Sequence, residues 1–293
     1  MSGKNYLSIY AKSFNWAGFF LPKDTYKKCS DLYDFCRFLD NIADEPNDTQ
    51  KKRQEFINFK NNFKAKDFSH SVIKNMWGLI ETSDIPINVV YDLFDGVESD
   101  LEDIIKFETE KDLLVYSYRV AGTVGIMMAK VLNVKKNFAL KGAIDLGIAM
   151  QLTNISRDVI EDKSQNRFYI KSDFEKIKQT VSLAERFYNS SFYAMKEIPF
   201  RLRFSICVAR RIYREIGYNI LKKKNFSNYE RSGKIFVNNL SKVFQTFLSV
   251  IDLLKLSFKK NPGTHLMEDK YKIIFHVIFT LRKYRKIKIT YNY

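Results

Sequence analysis

The sequence predicts an all-α protein, and three observations support this fold class. Only 5 of the 293 residues are proline and 11 are glycine, so residues that interrupt helices are rare. Long segments place apolar residues three or four apart, as in "LKGAIDLGIAMQLTNI" at 140–155. No fixed-period repeat, Gly/Ser-rich linker or low-complexity block divides the chain. We therefore expect residues 1–293 to form a single helical domain.

Composition indicates where such a protein would work. The first segment, "MSGKNYLSIYAKSFNW", lacks an apolar core of signal-peptide length, and no run approaches the roughly 20 apolar residues needed to cross a bilayer. Cys29, Cys36 and Cys207 are odd in number and have no CxxC spacing, which favours reduced thiols. We expect a cytoplasmic protein that does not span a membrane.

The net charge of +16 has three interpretations. An AT-rich coding bias would scatter lysines without a function. Nucleic-acid binding is disfavoured, because no helix-turn-helix, zinc-finger or RNA-binding signature accompanies the charge. An anionic small ligand or an anionic membrane surface is the third interpretation.

The first informative helix is "YDFCRFLDNIAD" at 33–44, followed by a polar run with Pro46 that predicts a loop. Asp40 and Asp44 lie four residues apart and therefore project from one helix face. Two carboxylates at this spacing cost roughly 0.2 to 0.5 kcal/mol on an exposed helix, so they are either simply solvated or offset by a cation. Arg37, three residues earlier, favours a phosphate contact.

A second segment, "YSYRVAGTVGIMMAKVL" at 116–132, carries small residues on one helix face. Ala121, Gly122, Thr123 and Gly125 permit either close helix packing or room for a bulky ligand. The segment is not a phosphate loop, because GTVG is not followed by Gly-Lys-Ser/Thr, and no GxGxxG fingerprint occurs in the chain.

The helix that ends in "QLTNISRDVIED" repeats the acidic spacing with Asp158 and Asp162. Asn154 precedes Asp158 by four residues, and Gln151 lies three residues before Asn154 on nearly the same stripe. The rest of this helix is apolar, so one face is rich in oxygen atoms. Arg157 either binds phosphate or forms an internal ion pair, for example with Glu161.

Two acidic faces turned toward each other would suit a divalent cation. Mg²⁺, with Mn²⁺ as an alternative, takes oxygen ligands and commonly joins one or two carboxylates to substrate phosphates. Histidine catalysis is disfavoured, because His70, His265 and His276 are distant in sequence and no HExxH occurs. The sequence therefore favours metal-assisted departure of diphosphate.

The last predicted element, residues 271–293, is apolar at first and then basic. Its basic cluster comprises Arg282, Lys283, Arg285, Lys286 and Lys288. This amphipathic tail either lies in a membrane interface or packs as a terminal helix with a solvated basic end.

Five stretches together resemble the squalene/phytoene synthase family, most closely its bacterial phytoene synthases. They are "SFNWAGFFLP", "LYDFCRFLDNIADE", "YSYRVAGTVGIMMAKVL", "DLGIAMQLTNISRDVIED" with "NRFYI", and "ARRIYREIG", and the resemblance spans about residues 7 to 245. It implies a single-domain isoprenoid-synthase helical fold around a central apolar cavity. It also implies head-to-head condensation of two geranylgeranyl diphosphates through prephytoene diphosphate to phytoene, without a nicotinamide cofactor.

The resemblance also implies roles for individual residues. Asp40, Asp44, Asp158 and Asp162, with Asn154, would bind Mg²⁺ and diphosphate. The phosphate contacts would come from Ser13, Arg37, Arg157 and Tyr213, and the reacting end would be lined by Phe14, Tyr118 and Gln151. Phe14 and Tyr118 would stabilise an allylic cation through their ring faces, unless they are ordinary core residues.

Three positions depart from the family pattern: Asn41 replaces an acidic residue, and Asn166 and Lys171 alter the second loop. We expect changed metal affinity at Asn41 more than lost activity. The rival functions are a squalene- or presqualene-type synthase acting on farnesyl diphosphate, a terpene cyclase, and a non-catalytic assembly factor of the same fold. Retention of four aspartates argues against the assembly factor.

Overall fold

The computed structural model describes residues 12–44, 48–258 and 267–278, with side chains described from residue 15 onward. Its helices are α1 (Lys12–Gly18), α2 (Lys23–Asp44), α3 (Thr49–Lys64), α4 (Ser71–Ser83), α5 (Ile87–Glu98), α6 (Glu110–Ser117), α7 (Thr123–Val131), α8 (Asn137–Arg157), α9 (Val159–Ser164), α10 (Phe174–Ala194), α11 (Phe200–Leu221), α12 (Phe226–Arg231) and α13 (Asn239–Phe258). Residues 268–278 form a further helix. The all-α prediction is confirmed.

Helix α8 is the central element of the fold, packed against α6, α7, α10 and α11. Its sequence is apolar on almost every side, so the helix is stable only where it is surrounded by others. Two glycines allow this close packing. A Cβ atom on Gly125 would lie 2.1 Å from the carbonyl oxygen of Ala143, and one on Gly147 would lie 2.2 Å from that of Ala121.

A π-helical segment, Tyr118–Gly122, connects α6 to α7 without a loop. The amide of Thr123 donates to the carbonyl of Tyr118, five residues earlier. A π turn holds one residue more than an α-helical turn, so it rotates the residues on either side relative to each other. The small-residue face predicted at 121–125 therefore begins inside this irregular turn.

Two very short strands, β1 (Ile105–Lys106) and β2 (Arg167–Phe168), pair in parallel. Ile105 lies opposite Arg167, and Lys106 lies opposite Phe168. Strands of two residues carry no recognisable alternation, and the sequence did not predict them. The pairing joins the loop after α5 to the loop after α9, close to the second acidic motif.

The described part of the predicted tail packs on the domain. Tyr271, Ile274 and Ile278 are buried, and the Tyr271 hydroxyl donates to the carbonyl of Lys141 at 2.7 Å. The described residues 271–278 thus belong to a helix that packs on the domain. Residues 279–293, with the whole basic cluster, lie outside the described residues. Within the described ranges, no helix has the length and apolar character needed to cross a membrane.

Candidate active site

The first acidic pair lies on the last turns of α2. Asp40 is half-buried, whereas Asp44 is exposed. Burial, and then the neighbouring carboxylate of Asp44, raise the pKa of Asp40 to about 7. Arg37 lies 3.8 Å from Asp44 and partly offsets the repulsion. A nearby cation would stabilise the ionised form of this carboxyl, which burial and the neighbouring carboxylate disfavour.

The second pair spans a break between two helices. Helix α8 ends at Arg157, Asp158 occupies the junction, and α9 starts at Val159. The amide of Asp162 still donates to the carbonyl of Asp158 at 2.8 Å, so the one-turn spacing of the two aspartates is kept. Burial and the charge of Asp158 raise the pKa of Asp162 to about 7. Each motif thus contains one carboxyl that is costly to ionise beside another.

Asp100 and Arg167 connect the two pairs. Asp100 is within electrostatic range of both motifs, because its charge raises the pKa of Asp40 and of Asp162. The Arg167 guanidinium donates to the Asp44 carboxylate at 2.8 Å and to the carbonyl of Ala43 at 3.3 Å. The loop after α9 is thereby attached to the end of α2, and the two acidic motifs share one region.

Asp100 is held in place by two tyrosines. The hydroxyls of Tyr116 and Tyr169 each donate to its carboxylate at 2.9 Å, and their rings stack with centroids 4.8 Å apart. Burial raises the pKa of Asp100 to about 6, against the lowering effects of Arg167 and both hydroxyls. Asp100 was not predicted, because no second carboxylate lies four residues from it, the spacing that marks the two acidic motifs. Arg167 follows the second acidic pair in the quoted "NRFYI" stretch, but its contact with Asp44 was not predicted.

The arginines of the two motifs are paired with the aspartates. Arg157 makes a bidentate contact with Asp158, with Nε–Oδ1 at 2.8 Å and Nη2–Oδ2 at 2.5 Å. The predicted alternative partner, Glu161, instead binds Lys234 at 2.7 Å. Lys234 also lies 3.8 Å from Asp158, and no sequence signal had indicated it. The second motif therefore holds two cations beside its carboxylates.

A cavity of about 930 Å³ opens beside these groups. Its lining follows α8 from Ala139 to Arg157, a distance of about 27 Å at 1.5 Å per residue. The part near the acidic motifs is polar and is lined by Arg37, Asp40, Gln151, Asn154, Arg157 and Tyr213. Most of the remainder is apolar, with Met128, Leu132, Leu146, Met195 and Ile198 among its walls, and a smaller part is lined by polar groups such as Ser191, Ser205 and Lys242. The predicted central apolar cavity is confirmed.

Tyr118, Ser13 and Phe14 are the remaining residues that were predicted to contact the substrate. Tyr118 lies behind the cavity wall, since its hydroxyl donates to Asp92 at 3.2 Å and its ring packs on Phe275. Val120 and Ala121 line the cavity at this level instead. The resemblance implied that Tyr118 lines the reacting end, whereas its described contacts are with Asp92 and Phe275. Ser13 and Phe14 belong to α1, but their side chains lie outside the described residues.

The donor set fits a hard divalent cation. Asn154 has a buried amide oxygen, Oδ1, without a hydrogen-bond partner in the described residues, and the residue lines the polar part of the cavity. Buried oxygens without a partner are rare in proteins, and an amide oxygen is a suitable ligand for Mg²⁺. In the described part of the chain, no three Asp, Glu, His or Cys side chains form a ready metal cluster. Asp40, Asp44, Asn154, Asp158 and Asp162 would hold such ions together with substrate oxygens.

Comparison with known proteins identifies a family. The model of the squalene/phytoene synthase family matches residues 8–176, more than half of the chain. A 15-cis-phytoene synthase of Paracoccus sp. is 38% identical over 157 residues, covering 47% of this chain and 51% of that enzyme. This match thus spans about half the length of the Paracoccus enzyme. A 15-cis-phytoene synthase of Enterobacter agglomerans is 27% identical over 74% of this chain and 84% of its own length.

Solved structures show the same fold. A ligand-bound dehydrosqualene synthase superposes with a TM-score of 0.69 at 24% identity, covering 85% of this chain and 94% of the other. The squalene synthase HpnC of Alicyclobacillus acidocaldarius gives a TM-score of 0.64 at 16% identity, covering 74% and 90%. The helices around α8 therefore form the isoprenoid-synthase fold.

Proposed function

The chain belongs to the squalene/phytoene synthase family, whose members are prenyltransferase-type enzymes, and we propose that it is a phytoene synthase of carotenoid biosynthesis. It condenses two geranylgeranyl diphosphates head to head, through prephytoene diphosphate, to phytoene. Relatives named as phytoene synthases support this substrate, and the reaction needs no nicotinamide cofactor.

One observation carries the proposal: a long, largely apolar cavity is lined at one end by Asp40, Asn154, Arg37 and Arg157, which belong to the two acidic motifs or lie next to them. An extended prenyl chain would lie along the apolar part of α8, from Ala139 to Gly147. Its diphosphate would then meet Arg37 and Arg157 at the polar part. This arrangement places the charged diphosphate beside charged side chains and the prenyl chain beside apolar ones.

The residues at the polar end would promote departure of diphosphate. Arg37 and Arg157, which line the cavity, would bind phosphate oxygens, and for Arg157 this contact would compete with its pairing to Asp158. When bound, Mg²⁺ or Mn²⁺ stabilises the negative charge that develops on the leaving diphosphate. Asp40, Asp44, Asn154, Asp158 and Asp162 would hold it, and ionisation of Asp40 and Asp162 would accompany its binding.

The cavity walls protect the reactive carbon skeleton. The allylic cation left by diphosphate departure reacts with any nearby water, so the site must be dry. Apolar groups such as Val120, Val124 and Leu146 line the cavity and carry no nucleophile. Phe14 is proposed to face the cation, and Gln151 and Tyr213 to contact the reacting end and the phosphates. Ser13 would add a further phosphate contact.

A second substrate has support from the comparisons. A 4,4'-diapophytoene synthase of Staphylococcus haemolyticus is 33% identical over 171 residues, 55% of this chain. This relative favours a farnesyl diphosphate substrate as the alternative, with a C30 product.

The test is incubation of the purified protein with Mg²⁺ and either geranylgeranyl or farnesyl diphosphate, without a reductant, followed by mass analysis of the products. Phytoene from the C20 substrate is the expected result. A C30 hydrocarbon or presqualene diphosphate alone would transfer the mechanism to the shorter substrate. Failure to release diphosphate from either substrate would instead support a non-catalytic assembly factor.

The proposed location is the cytoplasm, in peripheral contact with a membrane that supplies the substrate and receives the product. The net charge of +16 supports contact with an anionic surface. No nucleic-acid partner is proposed.

A further inference from the structure

Helix α13 has its polar side buried and its apolar side exposed. Lys242, Gln245, Ser249 and Asp252 face the domain, each less than a tenth exposed. The outward apolar side chains are Leu240, Val243, Phe244, Phe247, Val250, Ile251, Leu254 and Phe258, which are 39% to 84% exposed. A surface helix of a globular protein normally has the opposite arrangement.

Polar contacts fix this orientation. Arg211 makes a bidentate ion pair with Asp252 at 2.6 and 2.8 Å. The Gln245 amide donates to Glu215 at 3.0 Å, so α11 holds α13 at two points. On the other side, the Trp16 indole donates to the Thr246 hydroxyl at 3.0 Å. If α13 rotated to turn its apolar side inward, all of these contacts would break. Burial of the apolar side chains would then require loss of the Arg211–Asp252 ion pair.

The exposed side of α13 is long and almost free of charge. The helix has 20 residues and is about 30 Å long at 1.5 Å per residue. From Leu240 to Leu254 every exposed side chain is apolar, and Lys255 is the first exposed charge on this helix. A continuous apolar surface of this kind marks an interaction site on a soluble domain.

We infer that the apolar side of α13 docks on an anionic lipid bilayer, with the helix axis along the membrane surface. Because α11 packs against the polar side of α13, the apolar side of α13 is left to face the membrane. Helices that lie in a membrane interface have this arrangement. The chain carries a net charge of +16, which an anionic surface attracts and a second copy of the chain repels. The sequence of residues 279–293 contains five basic residues and no acidic one, a composition that an anionic lipid surface also attracts.

The same surface is continuous with the cavity. Phe236, 75% exposed, and Asn239 line the cavity, and α13 begins at Asn239. Phe19, which is 83% exposed, lies three residues after Trp16, whose indole hydrogen-bonds to Thr246 of α13. Docking would place this cavity wall at the bilayer, where a prenyl chain enters and a hydrocarbon leaves without crossing water. This last step rests on the proposed function, whereas the docking itself does not.

The test is co-flotation of the full chain with vesicles of phosphatidylcholine, with and without phosphatidylglycerol. The variant F244S/F247S removes two rings from the apolar side of α13, neither of which lines the cavity. The variant I57S/F68S, with side chains 46% and 48% exposed on α3 and the loop after it, is the matched control. We expect F244S/F247S to weaken binding to anionic vesicles at least about tenfold and the control to bind as the parent does.

Other outcomes identify other occupants. Unchanged vesicle binding by F244S/F247S would overturn the inference, as would loss of binding only on deletion of 279–293. A dimer that F244S/F247S converts to a monomer, with no vesicle binding by the parent, would assign the surface to a second copy. Circular dichroism verifies that each variant folds. Activity in detergent is expected to be equal in all three proteins, so failure of docking is separable from failure of the proposed reaction.

Discussion

Replacement of Asp40 by asparagine should stabilise the metal-free protein at alkaline pH while it removes activity. Burial and Asp44 raise the pKa of Asp40 from 3.8 to about 7. A carboxyl with a raised folded-state pKa favours folding when protonated. Its contribution is therefore present below the unfolded pKa and is lost as the pH rises to the folded value.

The magnitude follows from the size of the shift. At 1.36 kcal/mol per pKa unit, a rise from 3.8 to about 7 corresponds to about 4 kcal/mol of lost stability above neutral pH. Solvent screening of a half-buried carboxylate lowers this free-energy difference, so about 2 to 4 kcal/mol is expected. The amide introduced by Asp40→Asn does not ionise, so the variant should exceed the parent by this amount at about pH 8 and match it near pH 4.

Urea unfolding at both pH values, in the presence of a chelator, measures the difference. Asp24→Asn, on the exposed first turn of α2, is the matched control and should show no such gain. Added Mg²⁺ should stabilise the parent more than Asp40→Asn. Equal stability of Asp40→Asn and the parent at both pH values would refute the explanation of the Asp40 pKa by burial and repulsion.

Three further predictions concern single side chains. Asp158→Asn should lower turnover at least about 100-fold, roughly 2.7 kcal/mol of barrier, and near-normal turnover at saturating Mg²⁺ would contradict a metal role. Asp100→Asn should lower turnover about tenfold and raise the Mg²⁺ concentration required for activity. Tyr169→Phe keeps the Asp100 carboxylate and should therefore have a smaller effect on both quantities. A larger effect of Tyr169→Phe than of Asp100→Asn would mean that Asp100 has only a structural role. Gly125→Ala should destabilise the protein by at least about 2 kcal/mol in urea unfolding, because the new Cβ atom would lie 2.1 Å from the carbonyl oxygen of Ala143. An unchanged midpoint of urea unfolding would mean that α7 can move away from α8.

Local spacing explains what could be predicted from the sequence. Asp40 with Asp44, and Asn154 with Asp158, are separated by about one helical turn, and helical periodicity alone places each set on one face. The apolar surroundings of α8 likewise indicated a buried helix. The break at Asp158 was not predicted, because its residues are compatible with a continuous helix.

Contacts between distant segments explain what could not be predicted. Asp100 joins the site through Tyr116 and Tyr169, and Arg167 through Asp44, and no pattern in one segment shows these pairings. The place of Tyr118 at the reacting end was implied by the resemblance alone, whereas its contacts in the structure are with Asp92 and with Phe275 of the helix near the C-terminus. Both partners are distant in sequence, so no local pattern indicated them.

The most direct test of the central claim is the amount of diphosphate released per hydrocarbon formed from geranylgeranyl diphosphate, measured with and without Mg²⁺. The account predicts two diphosphates for each C40 hydrocarbon, with no reductant added and no release once the metal is chelated. A hydrocarbon formed equally well in chelator, or metal-dependent release without any C40 product, would contradict the assignment of the two acidic motifs to a phytoene-forming site.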